Sequence, residues 1–226
     1  MQELGKFDHE RASEYDERIR ISIPTYDYLM ESMPAYLSKY IPKSSDIQLL
    51  VAGCGTGNEM QQFLLQEGKW NITGVDPSRD MIGIARKKLR LFNSQKLIVG
   101  QVKGLPEGMK YDAATLSLVL HFLPDNGAKA NLLKDISNRL KKSAPLLILD
   151  MFGTQEVIRQ KLQLLASTLP EEISPQMVKE MSQRILEEIH FIPEDRFFEL
   201  LSQAGFEKPL RYHQALMYGA WICLKA

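Results

Sequence analysis

The sequence predicts an α/β fold in a single domain, with helices covering both faces of a mainly parallel sheet. Short apolar runs alternate with longer stretches in which apolar residues recur at helical spacing, a pattern typical of such folds. The chain has 226 residues, 44% of them hydrophobic, which is enough for one substantial core. Two closely joined β-like runs at the C-terminus predict that the sheet is mixed.

Seven apolar runs predict the strands of the sheet. They are Ile47–Ala52, Asn71–Asp76, Lys96–Val99, Ala113–Leu118, Pro145–Met151, Phe206–Tyr212 and Leu216–Leu224. The connection between the last two is short, whereas a parallel crossover needs about a dozen residues or more. We therefore expect a seven-stranded sheet with an antiparallel last strand.

Helices are predicted between the strands and in two additional segments. The regular helices are Glu59–Gln66, Met81–Phe92, Ala128–Leu140 and Glu194–Ala204. Residues 154–192 interrupt the alternation with two helices, Glu156–Ser167 and Pro175–Ile189, and predict a helical cap inserted into the domain. Residues 1–45 are predicted to form an N-terminal helical lid on the single domain 1–226.

Composition and charge limit the classes of function. The 28 Lys and Arg residues balance the 28 Asp and Glu residues, so a general nucleic-acid or membrane binder is not indicated, although a local basic patch stays open. Cys54 and Cys223 belong to no spaced cluster, so we expect no metal site and no disulfide framework. The chain has no long apolar stretch and no signal-peptide pattern, which predicts a cytoplasmic protein without a membrane partner.

A glycine loop follows the first predicted strand directly. It reads Gly53-Cys54-Gly55-Thr56-Gly57 and leads into a helix. Glycine reaches positive φ and has no side chain, so backbone N–H groups and the helix N-terminus can approach a ligand closely. The Gly-x-Gly-x-Gly spacing differs from the dinucleotide fingerprint, and no phosphate-binding lysine follows, which favours S-adenosylmethionine over a nucleotide phosphate. A purely structural turn is the alternative.

An acidic residue ends the second predicted strand. Asp76 lies nineteen residues beyond Gly57, where a carboxylate can accept hydrogen bonds from two ribose hydroxyls. The alternative is a helix N-terminal residue before Pro77, with Ser78 as the cap, and the two roles are compatible.

With these motifs, the chain resembles the Rossmann-like class I S-adenosylmethionine-dependent methyltransferases. The likeness runs from the glycine loop through Tyr111-Asp112-Ala113 and Leu118–Leu123 to Leu140. A narrower likeness, to carboxy-S-adenosylmethionine synthase and its methyltransferase relatives, covers nearly the whole chain. It is carried by Phe7-Asp8, Tyr15, Ile19, Ser22–Tyr26, Ala204–Glu207 and Leu224-Lys225-Ala226.

The resemblance implies a set of cofactor-binding residues for S-adenosylmethionine or S-adenosylhomocysteine. Gly53, Cys54 and Gly55 lie under the methionine part, Asp76 and Pro77 at the ribose, and Gln101 and Val102 beside the adenine. Tyr26, Gly57, Met81 and Ser117 complete the set.

Three positions depart from the pattern of the resembled families. Gln101 stands where Asp is common, but an amide can still pair with the adenine edge. Val51 stands where many members carry an acidic residue. The synthase holds its carboxylate with an arginine, and a gapless alignment places Ser182 there, whereas a two-residue gap places Arg184. Because serine cannot replace an arginine fork, ordinary methyl transfer ranks above synthesis of the carboxylated donor.

The catalytic candidates are His121, Tyr26 and Arg184. His121 follows the fourth predicted strand and is a candidate base, with a structural role as the alternative. The lid, with Tyr15, Arg18, Arg20 and Tyr26, is expected to close over the donor, with a solvated surface helix as the alternative. The cap methionines Met177 and Met181 are interpreted as packing residues, and a dimer contact stays open.

The predicted function is methyl transfer to a small molecule or a tRNA base by an enzyme that forms a monomer or a homodimer. The alternatives are carboxylated-donor synthesis and a catalytically inactive S-adenosylmethionine-binding protein, to which Val51 and Gln101 lend support. The acceptor is not determined by the fold, because specificity depends on the lid and the cap.

Overall fold

The structure is a computed structural model that describes residues 9–43, 46–66 and 70–226. Phe7 and Asp8, which contribute to the family resemblance, lie outside these residues. The described chain forms a seven-stranded sheet in the order β3-β2-β1-β4-β5-β7-β6. Strands β1 to β5 are mutually parallel where they pair, and β7 runs antiparallel to both β5 and β6. The predicted mixed sheet with an antiparallel last strand is confirmed.

The strands of the sheet alternate with helices along most of the chain. The strands are β1 (Gln48–Ala52), β2 (Asn71–Asp76), β3 (Gln95–Val99), β4 (Ala113–Ser117), β5 (Pro145–Met151), β6 (Leu210–Ala215) and β7 (Tyr218–Leu224). The helices are α1 (His9–Ser22), α2 (Tyr26–Leu37), α3 (Asn58–Gln66), α4 (Arg79–Lys88), α5 (Ala128–Arg139), α6 (Gln155–Ala166), α7 (Pro175–Glu188) and α8 (Glu194–Gln203).

Two hydrophobic clusters cover the two faces of the sheet. On one face, Leu49 and Val51 of β1 pack with buried residues of α2, α3 and α6. On the other face, Leu50 and Ala52 pack with buried residues of α5 and α8. Successive residues of a strand point to opposite faces, so β1 is apolar on both sides, as a central parallel strand requires.

The strand order reverses between β1 and β4. The chain proceeds outward from β1 to β2 and β3, then returns to place β4 on the other side of β1. Open α/β sheets bind ligands at such a reversal, beyond the carboxyl ends of the strands. The glycine loop after β1 and His121 after β4 both lie at this edge.

Two predicted elements, β6 and α4, have boundaries that differ from the structure by more than two residues. Strand β6 begins at Leu210, not at Phe206, because Phe206 forms only an isolated bridge with Lys225 and Pro209 has no N–H to donate to a ladder. Helix α4 ends at Lys88, not at Phe92, because the N–H of Phe92 turns back to donate to the carbonyl of Leu89.

The described helices include none with the length and apolar character needed to span a membrane.

Candidate active site

The glycine loop is held by hydrogen bonds to the end of β2. The N–H groups of Gly53 and Cys54 donate to the carbonyl of Val75 at 2.7 and 3.1 Å, and the N–H of Gly55 donates to Asp76 Oδ2 at 3.0 Å. Gly55 has φ +50°, and a Cβ placed there would meet no atom within 4 Å. The loop therefore presents its open side, with room for a ligand, at Gly55.

Asp76 has the structural role that the sequence left as an alternative, and its ribose-binding role stays a prediction. Its Oδ1 accepts a hydrogen bond from the N–H of Ser78 at 2.8 Å, and the Ser78 hydroxyl caps α4 by accepting from the N–H of Met81. Burial raises the pKa of the Asp76 carboxyl, and the N–H groups of Ser78 and Gly55 partly offset this effect. A carboxylate offers about four acceptor sites, so Asp76 retains capacity for ribose hydroxyls.

The other positions assigned to the cofactor lie at the same edge of the sheet. Cys54, Met81 and Val102 are buried, Ser117 is half-buried, and Pro77 and Gln101 are exposed. Burial raises the pKa of the Cys54 thiol, so this thiol is protonated at neutral pH. Ser117 is the last residue of β4, and the other residues come shortly after the carboxyl end of β1, β2 or β3. The fold therefore brings the predicted set to one edge of the sheet.

Helix α1 is fastened to the glycine loop by Asp16. The Thr56 hydroxyl and the Asn58 amide donate to Asp16 Oδ1 at 2.6 and 2.8 Å, and the Lys88 ammonium donates to Asp16 Oδ2 at 2.5 Å. Burial opposes the charge of Asp16, but these hydrogen bonds and the Lys88 charge lower its pKa overall. The predicted lid thus contacts the loop through a residue that the sequence analysis did not single out.

Tyr26 lies close to the contact between Asp16 and the glycine loop, because both residues bind the Asn58 amide. Its side chain is buried, and its hydroxyl accepts a hydrogen bond from the Asn58 amide at 3.0 Å. Burial raises the pKa of the Tyr26 phenol, so the group is not a base at neutral pH. The guanidinium of Arg20 lies 5.5 Å from the centre of the Tyr26 ring and also pairs with Asp27. The geometry places the Tyr26 hydroxyl beside Asn58, the residue that directly follows the glycine loop.

His121 is held by a buried carboxylate. Its Nδ1 lies 2.5 Å from Asp150 Oδ1, and both side chains are buried. Asp150 Oδ2 accepts from the N–H groups of Val119 and Leu120 at 3.1 and 2.7 Å. Burial opposes the charge of Asp150, but its interactions with His121, Met151 N–H and Lys129 lower the carboxyl pKa overall. Since the carboxylate can only accept, it selects the tautomer with the proton on Nδ1 and leaves Nε2 free to accept.

Lys129 stabilises the loop that carries His121. Its side chain is 1% exposed, and its ammonium donates to the carbonyls of Leu120 and His190 at 2.5 and 2.9 Å. Burial lowers the Lys129 pKa to about 8, although the carboxylates of Asp150 and Asp125 act in the opposite direction. Lys129 therefore links the loop that carries His121 to the end of the cap.

A cavity of about 360 Å³ lies above His121, between α1 and α7. Its lining is largely apolar and includes Leu118, Phe122, Met151 and Tyr218 from the sheet edge. Tyr15 also lines the cavity, and Asp76 contributes to the raised pKa of its phenol, after the larger effect of burial. Tyr15 thus lies between the cavity and the cofactor side of the edge.

The inserted cap supplies the opposite wall of the cavity. Helix α7 has no buried residue, and Met177, which is 48% exposed, lines the cavity together with Met181. Met181 also packs against the hydrophobic core, as interpreted from the sequence, whereas Met177 contributes to the cavity wall. Arg184 lines the cavity and pairs with Glu188 at 3.2 Å, whereas Ser182 is not among the lining residues.

Sequence reasoning missed Asp16, Glu59, Lys129 and Asp150. Asp150 carried a detectable signal, because it is the one charged residue in the otherwise apolar run Pro145–Met151. The other three carried none, because an isolated charge on a predicted helix normally faces solvent. Among the described residues, no three His, Cys, Asp or Glu side chains gather as a metal site would require.

The comparisons with known proteins agree with this geometry. Residues 50–146 match the family described as a methyltransferase domain. The carboxy-S-adenosyl-L-methionine synthase of Campylobacter concisus is 27% identical over 143 residues, which are 63% of this chain and 59% of that protein. The matched part thus spans less than two thirds of that synthase. The synthase of Actinobacillus pleuropneumoniae is 22% identical over 233 aligned positions, covering 100% of this chain and 96% of that protein.

A solved structure shows the same fold. The magnesium protoporphyrin IX methyltransferase of Synechocystis, solved with bound S-adenosylmethionine, superposes with a TM-score of 0.60 and 16% identity, covering 89% of this chain and 80% of that one. The predicted resemblance, fold class and enzyme class are confirmed, and S-adenosylmethionine is the donor of that class. Residues 50–146 are therefore a methyltransferase domain, and the chain has the fold of the class I S-adenosylmethionine-dependent methyltransferases.

Proposed function

We propose that the chain binds S-adenosylmethionine across the carboxyl ends of β1 to β4 and transfers its methyl group to a small, largely apolar acceptor. The glycine loop, Asp76 and the residues after β3 and β4 supply the donor site. The methyltransferase that resembles this chain in structure was solved with the same donor. The proposal extends this binding to the present chain.

The observation that carries the proposal is the apolar cavity with His121 at its floor. The cavity adjoins the donor site through Tyr15 and Leu118, and its volume of about 360 Å³ suits a small molecule. A tRNA base, the other predicted acceptor, is less favoured, because the lining is mainly apolar and the chain has no net charge.

The arrangement supports methyl transfer in line with the sulfonium. The acceptor atom attacks the methyl carbon, the carbon–sulfur bond breaks, and the sulfonium becomes the neutral thioether of S-adenosylhomocysteine. Where the acceptor carries a proton, His121 Nε2 accepts it, and Asp150 stabilises the resulting imidazolium. Closure of α1 and α7 over the cavity excludes water and fixes the alignment of the reactants.

Synthesis of a carboxylated donor is the second candidate, because two arginines line the cavity. Arg18 pairs with Glu14 at 2.5 Å and Arg184 pairs with Glu188 at 3.2 Å, so each guanidinium already has a carboxylate partner. A carboxylate substrate would have to compete with these glutamates. Methyl transfer therefore remains the favoured function. The homodimer, the cytoplasmic location and a catalytically inactive binder remain predictions from the sequence.

Mass spectrometry of the nucleoside that copurifies with the protein tests the proposal. Recovery of S-adenosylmethionine or S-adenosylhomocysteine, followed by turnover with a panel of small apolar alcohols, thiols and amines, is the expected result. Recovery of the carboxylated donor favours the second candidate. A protein that binds no adenosyl nucleoside in calorimetry contradicts both.

A further inference from the structure

A group of polar atoms without hydrogen-bond partners is buried next to the glycine loop. Glu59, in the first turn of α3, is 6% exposed, and its Oε1 has no hydrogen-bond partner among the described residues. The hydroxyl oxygens of Thr115 and Ser117 on β4 and of Tyr212 on β6 are likewise buried and have no partner in that part of the chain. Buried polar groups normally have partners, so a cluster of unpartnered atoms indicates that a ligand supplies them.

The position of this cluster matches one end of the donor site. Glu59 comes two residues after Gly57, and Ser117 directly precedes Leu118 of the acceptor cavity. Thr115 pairs in register with Val51, the residue just before the end of β1. The carboxyl group of Glu59 therefore lies near the carboxyl end of β4, on the face of the sheet that Val51 and Thr115 share.

Among the residues that the structure describes, no positively charged side chain acts on Glu59. Burial raises its pKa to about 7, and the hydroxyl groups of Thr115 and Ser117 lower it in part, although neither forms a hydrogen bond of normal geometry. The other titratable groups that act on this region are Tyr26, Cys54 and Tyr212, whose pKa values are all raised by burial. These groups are neutral at pH 7. In the described part of the chain, the carboxylate form of Glu59 thus lacks a compensating cation.

We propose that Glu59 binds the α-ammonium group of the methionine part of S-adenosylmethionine, with the hydroxyls of Thr115 and Ser117 as further acceptors. An ammonium has three N–H donors, which matches one carboxylate oxygen and two hydroxyls. The sulfonium is also positive, but it has no hydrogen to donate and would leave the oxygens unpaired. The inference deepens the proposed function and rests on it.

Calorimetry with three adenosyl nucleosides tests the assignment in the variant Glu59→Gln. S-adenosylmethionine has the ammonium and the sulfonium, S-adenosylhomocysteine has only the ammonium, and 5′-methylthioadenosine has neither. We expect the variant to bind the first two about 10- to 100-fold more weakly, the range for a lost hydrogen bond to a charged group. Binding of methylthioadenosine should stay within about twofold, well below the tenfold effect of one such bond.

A proton measurement provides a second readout. At pH 7 the unmodified protein should release protons when S-adenosylhomocysteine binds, because the ammonium stabilises the charged form of Glu59. Calorimetry in buffers of different ionisation enthalpy measures this release, which should be smaller in Glu59→Gln. Glu31→Gln, on the exposed side of α2, is the matched control and should change neither quantity.

Four outcomes overturn the assignment. Equal weakening of all three nucleosides makes Glu59 a structural residue, and weakening of S-adenosylmethionine alone assigns it to the sulfonium. Unchanged binding of every nucleoside removes Glu59 from the site while the proposed function stands. If the unmodified protein binds none of them, the proposed function fails together with this inference.

Discussion

His121 Nδ1 lies 2.5 Å from Asp150 Oδ1, and His121 lines the acceptor cavity while Asp150 is buried behind it. The two residues come from different strand ends, since His121 follows β4 and Asp150 lies in β5. Because adjacent parallel strands end at the same edge, their pairing is a direct result of strand order. Asp150 in β5 orients the imidazole, whereas the glycine loop follows β1, on the other side of β4.

Replacing His121 with Gln tests its role as a base. We expect kcat to fall about 100- to 10,000-fold for an acceptor that carries a proton, the range typical of general base catalysis, while the dissociation constant of the donor changes little. Steady-state kinetics and calorimetry measure the two quantities. His190→Gln is the control, because the His190 side chain is exposed and Lys129 contacts its main chain. An unchanged kcat assigns His121 a structural role.

Asp76→Asn is expected to weaken donor binding by about 1.5–3 kcal/mol, because hydrogen bonds from ribose hydroxyls to a carboxylate are charge-assisted. The asparagine oxygen can still accept from one N–H of the loop, so the fold should be retained. Titration calorimetry gives the affinity, and circular dichroism checks the fold. Asp80→Asn, an exposed change in the first turn of α4, should have no effect. A folded Asp76→Asn protein with normal affinity would remove the residue from the ribose site.

Gly55→Val should abolish donor binding, because a side chain at Gly55 would project into the open space beside the loop. Positive φ also makes the change costly for the backbone, so the comparison needs a variant with the same strain elsewhere. Gly108→Val provides it, since Gly108 has φ +81° and an equally open Cβ position. Thermal shift with added S-adenosylmethionine should show ligand stabilisation in Gly108→Val and none in Gly55→Val. Stabilisation in both variants would mean that the loop is a structural turn.

Glu59→Gln should stabilise the ligand-free protein above pH 7. The pKa of Glu59 is raised from about 4.5 to about 7 on folding, so the folded state binds more protons between these values and its stability falls as pH rises. The destabilisation is complete above pH 7 and amounts to about 3 kcal/mol at most. Denaturant unfolding at pH 8 and at pH 4.5 should show a gain for Glu59→Gln at the higher pH that disappears at the lower one. A gain that is independent of pH would point to a packing effect.

Helix α7 should become more protected from hydrogen exchange when S-adenosylmethionine binds. It has no buried residue, whereas α6 contributes buried Ile158, Leu162 and Leu165 to the core. Tyr26 is already buried, so its segment should change little. Peptide-level exchange measured with and without S-adenosylmethionine tests this difference. If α7 is equally protected with and without S-adenosylmethionine, it is a permanent wall of the cavity and does not close on ligand binding.

The sequence by itself determined the sheet, the glycine loop and most element boundaries. Apolar periodicity and glycine spacing are local properties, and they located five strands to within one residue. The loop and Asp76 were predicted for the same reason, since a known strand order brings the ends of β1 and β2 together. The predicted single domain with its lid at residues 1–45 and cap at 154–192 stays a prediction, although helices occupy both segments where they are described.

Only the tertiary structure decided which distant charges meet. Asp16 reaches Lys88 across 72 positions of the chain, and Lys129 meets the carbonyl of His190 across 61. Glu59 lies beside Thr115 and Ser117 because α3 begins just after β1, which is the neighbour of β4 in the sheet. A charged residue on an amphipathic helix shows the same local pattern whether it faces solvent or a buried site. Its role depends on the element packed against it, which no local pattern specifies.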